Sequence, residues 1–437
     1  MQTANSSKNS TEFIRDIDMG FFNFSETINS ASAKAEARAK ESFAAIDEIG
    51  EYNQQKVLAA FINNGVTEPD FGATTGYGYG DRGRDKLEVI YAEVFGAEDA
   101  IVRHSFVSGT HTLAVALFGI LRPGDIMLSV TGTPYDTIHG VIGLSGEGMG
   151  SLKDFGIEYK QVELNSEGRP DLQAIKEALE MKPRMVYIQR SKGYTLRPSL
   201  SVAEIGEIAA LVHENSDAVV MVDNCYGEFV EKTEPTQAGA DIIAGSLIKN
   251  PGGGIARTGG YIAGRKDLVE LCSYRATTPG LGKEVGCTNG VNRDMYMGFF
   301  NAPTAVAAAL KSAVFAAALF EDFGFSVSPA SDENRHDIIQ TVCLGSSERL
   351  CEFCKGIQAG SPVDSFVVPE PAPMPGYDSK VIMAAGTFIM GASIELSADA
   401  PLREPYAVWM QGGLNYPTGK TAVMFAAENL YKAGLLE

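Results

Sequence analysis

The stretches VVMVDNCYGEF (219–229) and ADIIAGSLIKNPGGGIARTGGYIAG (240–264) decide the reading of this chain. In the first, an apolar run at 219–222 stops at Asp223, which places a carboxylate at the carboxyl end of a buried strand. In the second, a short apolar run leads into Ser246-Leu247-Ile248-Lys249, and the lysine is followed at once by Asn-Pro-Gly-Gly-Gly, a tight loop. Taken singly, Asp223 reads as a helix cap or turn residue and Lys249 as a solvated lysine. Together they put an acid and an amine at the ends of neighbouring strands.

Working outward, short apolar runs at 100–103, 125–130, 185–189, 218–222, 242–244 and 260–263 alternate with helical patterns at 110–121, 171–180 and 202–215. This alternation predicts an α/β fold with a mainly parallel sheet covered on both faces, and such sheets bind ligands beyond the carboxyl ends of their strands. Ala-, Glu- and Lys-rich sequence at 30–63 predicts an N-terminal helix, and residues 72–84, with five glycines and two arginines, predict a loop. An Ala-rich helix at 303–320 leads to a smaller C-terminal α+β unit with strands at 381–383 and 388–394 and a proline-rich surface loop at 361–380. The expected division is an N-terminal helical segment at 1–71, a large domain at 72–320 and a small domain at 321–437.

Composition narrows the function. With 437 residues, 45% of them apolar, the chain has ample core, and 55 acidic against 36 basic residues leave a net charge of −19. Such a charge repels a phosphodiester backbone or an anionic membrane, so neither nucleic acid nor membrane is an expected partner. No uninterrupted apolar run of bilayer length is read, and the opening MQTANSSKNSTEFIRDIDMGFF lacks the features of a secretion signal. Six scattered cysteines are too few for a disulfide framework, and a cytosolic location is expected. Cys351 and Cys354 have metal-ligand spacing without a second pair, and His104, His111, His139, His213 and His336 form no metal motif, so the cysteine pair reads as one helical face.

An amine and an acid so placed suit pyridoxal 5'-phosphate, which needs a lysine for its Schiff base and a carboxylate to keep its ring nitrogen protonated. It also needs a phosphate cradle. Ser108-Gly109-Thr110, between a strand and a helix, offers unpaired amides at a positive helix end, although a plain N-cap explains the same three residues.

Order and spacing resemble the fold-type I pyridoxal-phosphate enzymes of the Cys/Met-metabolism group. The strings GYGYGDRGRDKLE (76–88), VSGTH (107–111), IQRSKGY (188–194), DNCYGEF (223–229), GSLIKNPGGG (245–254) and IELSADAPLREPY (394–406) are similar to the methionine gamma-lyase-like, aluminium-resistance family over about residues 30–430. The resemblance implies that Lys249 carries the cofactor, Asp223 faces the pyridine nitrogen, and Ser246 with Ser108, Gly109 and Thr110 holds the phosphate. It places Tyr135 on the cofactor ring, Tyr226 on the ring hydroxyl, and Gln189, Arg190, Ser191 and Lys192 near ring hydroxyl and substrate. Arg403 would clamp the substrate carboxylate with its two-pronged guanidinium, against the plain reading of a surface arginine. Tyr77, Tyr79 and Arg84 match the segment that a neighbouring subunit lends to the phosphate site, which implies a homo-oligomer with a dimer as catalytic unit, in a tetramer.

The implied activity is a lyase that cleaves carbon–sulfur bonds in methionine, cystathionine or cysteine by γ- or β-elimination, giving a 2-oxo acid, ammonia and a thiol. The stretch around Lys249 departs from the Ser-Ala-Thr-Lys of the standard Cys/Met enzymes, which leaves substrate and reaction type open. Transamination, racemisation, γ-replacement, and a cofactor-binding protein of low turnover linked to metal stress remain as alternatives.

Overall fold

The computed structural model describes residues 21–374 and 379–436. The opening segment in which no secretion signal is read lies largely outside these residues, as do residues 375–378 of the proline-rich loop.

In chain order the elements are α1 (Glu26–Asn63), α2 (Arg82–Phe95), β1 (Asp99–Arg103), α3 (Gly109–Ile120), β2 (Ile126–Ser129), α4 (Asp136–Ile142), β3 (Glu158–Gln161) and α5 (Leu172–Ala178). They continue with β4 (Met185–Gln189), α6 (Val202–Asn215), β5 (Val219–Asp223), β6 (Ile242–Ser246), β7 (Gly260–Gly264), α7 (Lys266–Ala276) and α8 (Asn292–Asp322). The C-terminal part holds β8 (Ser326–Ser328), β9 (Ile339–Cys343), α9 (Ser347–Ala359), β10 (Val381–Ala384), β11 (Ser397–Pro401), β12 (Ala407–Gln411) and α10 (Tyr416–Lys432).

The first sheet has seven strands in the order β1-β7-β6-β5-β4-β2-β3. Its strands alternate between two apolar clusters. Val186, Ile188, Val220, Val222 and Ile243 face one, while Met185, Tyr187, Val219, Met221 and Ile242 face the other. Both faces are therefore covered, as a continuous apolar strand pattern requires. The sheet is mainly parallel, as expected: six strands share one direction, and β7 runs antiparallel to its neighbours β1 and β6.

Further differences have local causes. Residues 82–84, expected in the glycine loop, are the first turn of α2, because Asp81 accepts the Arg84 amide and caps the helix. The strand expected at 388–394 is a run of turns, with the Glu395 carboxylate accepting the Phe388 and Ile389 amides. Strand β3 was hidden by its polar sequence, EYKQ, at the sheet edge. Helix α8 begins at Asn292, well before the expected 303, with Pro303 inside it.

Helix α8 is long and apolar enough by composition to cross a bilayer, yet it is mostly buried inside the protein. Its Met295–Leu310 part packs on the core of the first sheet and its Phe315–Phe320 part on that of the second. The second sheet is antiparallel throughout, in the order β10-β11-β12-β9-β8, with α9 and α10 on one face. Cys351 and Cys354 lie one turn apart on α9, the second fully buried.

Candidate active site

Six co-directional strands bring their carboxyl ends to one edge. Gln189 of β4 pairs with Asp223 of β5, and Ser246 of β6 pairs with Gly260, which also pairs with Arg103 of β1. The loops leaving this edge carry Ser108–Thr110, Tyr135, residues 190–194, Tyr226 and Lys249.

Asp223 is the last residue of its strand and is buried. Its carboxylate accepts the Cys225 amide at 3.1 Å and the Tyr187 hydroxyl at 3.4 Å. Lys249 starts a short turn in which only glycine fits at 252, since a Cβ there would lie 1.6 Å from the Leu247 carbonyl oxygen. Its Nζ stands 4.0 Å from the centre of the Tyr226 ring, a cation–π contact. Burial disfavours the Lys249 ammonium, but the Cys225, Tyr226, Asp223 and Glu228 groups around it outweigh that and hold it above the ordinary lysine range. Tyr226 takes a left-handed φ of 72°, a strained conformation for a residue with a side chain.

Ser108 caps α3, accepting the His111 amide at 3.0 Å. A Cβ on Gly109 would lie 3.3 Å from Ser246 Cβ and 3.7 Å from Cys225 Sγ, so the helix start, the Ser246 hydroxyl and the loop after Asp223 converge. Thr110 Oγ1 and Thr137 Oγ1 are 2.8 Å apart. Tyr135 precedes α4; its amide donates to Gln189 Oε1 at 2.7 Å and its ring meets Tyr194 edge-on at 5.5 Å.

Other expected residues are engaged elsewhere. The Arg190 guanidinium is fully buried and donates to Asn224 Oδ1 and Glu231 Oε1, both at 2.8 Å. Lys192 Nζ donates to the Ser328 carbonyl at 2.8 Å and hydroxyl at 3.2 Å, and burial pushes its ammonium down to about 8. Ser191 is buried and its carbonyl accepts from Gln189 and Arg197. Arg84 turns inward, donating to the Gly78 and Gly286 carbonyls at 2.9 Å, so it pins the glycine loop of its own chain. Tyr77 and Tyr79 stack on each other at 5.4 Å and are exposed. Arg403 is exposed in the β11–β12 turn, and its side chain makes no hydrogen bond among the described residues.

The sequence reading passed over Tyr194, Asp399, Trp409 and Gln411. Tyr194 donates to Asp399 Oδ2 at 2.6 Å, Gln411 Nε2 donates to the same oxygen at 2.7 Å, and Tyr194 packs on Trp409 at 5.5 Å. The polar–apolar alternation of Ser397-Ala398-Asp399-Ala400 was the available signal for a strand with a polar face.

Among known proteins, the methionine gamma-lyase family model matches residues 28–431. The uncharacterized protein YnbB of Bacillus subtilis is 49% identical over 413 residues, 94% of this chain and 98% of its own. A solved carbon-sulfur lyase involved in aluminum resistance, from Clostridium novyi, superposes with a TM-score of 0.90 at 48% identity, covering 98% of this chain and 100% of that one. The pyridoxal-5'-phosphate dependent protein YhfS of Escherichia coli shares the fold at 17% identity, with a TM-score of 0.60 over 89% of this chain and 97% of its own. A family match over nearly the whole chain, joined to this fold and this arrangement of strand ends, settles the lineage: the chain belongs to the methionine gamma-lyase family.

Proposed function

We propose that the protein is a pyridoxal-phosphate-dependent carbon–sulfur lyase acting on a sulfur amino acid, releasing a thiol, a 2-oxo acid and ammonia. One observation carries the reading: the Lys249 amine, the Asp223 carboxylate and the opening turn of α3 beside Ser246 share one edge of the sheet. The donor set fits the cofactor. An amine is available for its carbonyl, a buried carboxylate for its ring nitrogen, and helix amides with a serine hydroxyl for its phosphate. The bare Gly109 position leaves those amides open.

Bound there, the cofactor supplies an electron sink for charge left at the substrate α-carbon. Lys249 would hold the cofactor through its amine and, once free, its Nζ would take the substrate α-proton. Asp223 keeps the ring nitrogen protonated, held in place by the Cys225 amide and Tyr187 hydroxyl. Ser108, Gly109, Thr110 and Ser246 hold the phosphate. Tyr135 would cover the cofactor ring, and the Tyr226 hydroxyl would serve its ring hydroxyl. The resemblance alone supports Arg403 as the clamp for the substrate carboxylate. Arg190 and Lys192 are assigned to structure, because both are buried and hydrogen-bonded. The exposed Tyr77–Tyr79 stack faces a second copy in a homo-oligomer whose dimer is the catalytic unit.

The test is the visible spectrum of the purified protein with added pyridoxal phosphate, followed by borohydride reduction and peptide mapping. The adduct is expected on Lys249, and L-methionine, L-cystathionine or L-cysteine should yield thiol and 2-oxo acid. A protein that stays colourless, or an adduct elsewhere, refutes the proposal.

A further inference from the structure

Alternation along β11 puts Ala398 and Ala400 in the apolar core beneath α9 and α10, and so turns Ser397 and Asp399 to the opposite face of the small sheet. Their cross-strand partners on that face are Gln411 and Trp409, and Trp409 packs with Tyr194 and Tyr226 of the catalytic edge. The small domain thus presents a polar strip to the site.

Asp399 is 5% exposed. Its Oδ2 receives both Tyr194 and Gln411, while its Oδ1, and the hydroxyl of the equally buried Ser397, have no hydrogen-bond partner. An unmet buried acceptor is costly, and more so when charged, so such a group calls for a ligand. Two observations set it in the site rather than in a sealed core. Its cross-strand partner Trp409 packs with Tyr226, whose ring centre lies 4.0 Å from Lys249 Nζ, and Tyr194, which holds Asp399, meets Tyr135 edge-on. Burial pushes Asp399 up to about 6 against the pull of Tyr194, Gln411 and Lys249, which leaves it mostly ionised at neutral pH.

We propose that Asp399 is a specificity-determining residue: its Oδ1 receives the second ammonium of a thioether that carries an amino-acid group at each end, with Ser397 Oγ donating to the adjoining carboxylate. The inference rests on the lyase reading above. L-Methionine, whose sulfur ends in a methyl group, leaves Oδ1 unpaired and sets an apolar group against a charge, so it binds less well.

The experiment compares L-cystathionine with L-methionine on the cofactor-loaded wild type and on Asp399→Asn, which keeps the shape and can still accept from Tyr194. The wild type should prefer cystathionine in kcat/KM, and the variant should lose roughly tenfold or more of that preference, chiefly through KM for cystathionine. Calorimetric titration of borohydride-reduced protein, in which turnover is blocked, should show the same loss as a binding difference. If Asp399→Asn does not fold, Ser397→Ala serves, with a smaller shift in the same direction. An unchanged ratio, or equal losses on both substrates, overturns this inference alone. Absence of a reducible adduct on Lys249 overturns it together with the lyase reading.

Discussion

Replacing Gly109 by alanine separates the phosphate cradle from the stability of the fold. The added Cβ would stand 3.3 Å from Ser246 Cβ and 3.9 Å from Ser246 Oγ, a tight contact but not a collision with backbone. Relieving it costs on the order of 1 kcal/mol, while alanine in a helix gains at most about 0.5–1 kcal/mol over glycine. The two nearly cancel, so the melting temperature should move by no more than about 4 °C in a chain of this size. The methyl group, however, occupies the space between the first α3 amides and the Ser246 hydroxyl. Losing one charge-assisted hydrogen bond to the phosphate is worth roughly 1.5–3 kcal/mol, or about 10- to 100-fold in cofactor affinity. Equilibrium titration with pyridoxal phosphate, read by visible absorbance, measures this beside a thermal melt. A variant that binds the cofactor as tightly as the wild type would refute the placement of the cradle; one that unfolds would refute the packing arithmetic.

Two other substitutions test the surroundings of the site and the small domain. Glu228 is fully buried, and burial, against the Tyr261 hydroxyl donating at 2.8 Å, pushes its carboxyl up to about 8 from 4.5. The fold therefore keeps a proton that the unfolded chain releases, and this residue's contribution to stability declines as pH rises from about 4.5 to about 8. Glu228→Gln should show a stability advantage that grows across that window by on the order of 1–4 kcal/mol in urea unfolding of the cofactor-free protein; a pH-independent difference contradicts the assignment. In the small domain, a Cβ on Gly356 would lie 2.4 Å from Ala426 Cα, where α9 and α10 meet backbone to backbone. Gly356→Ala should cost about 1–3 kcal/mol of stability by the same unfolding assay, and a neutral result would mean that the two helices do not pack this closely.

The sequence by itself determined those features that follow from local patterning. Alternating apolar runs located strands β1, β2, β4, β5, β6 and β7 to within two residues at either end, and the helical pattern at 202–215 coincides with α6. The strand-to-loop junctions also placed Asp223, Ser246 and Lys249 in order, since an acid or lysine directly after a buried apolar run must lie at its end. Tertiary structure decided what depends on distant partners. The direction of β7 is invisible locally, because GYIAG suits either sense, and it was fixed by pairing with β1 and β6 on both sides. Arg190 and Lys192 look like ligand-binding cations in sequence, but they are paired with Glu231, 41 positions away, and with Ser328, 136 positions away. Asp399 and Tyr194, 205 positions apart, read as unrelated residues until the small sheet turns its polar strip toward the catalytic edge. Periodicity reports which face of an element is buried; only the packed chain supplies the partner that a buried polar group requires.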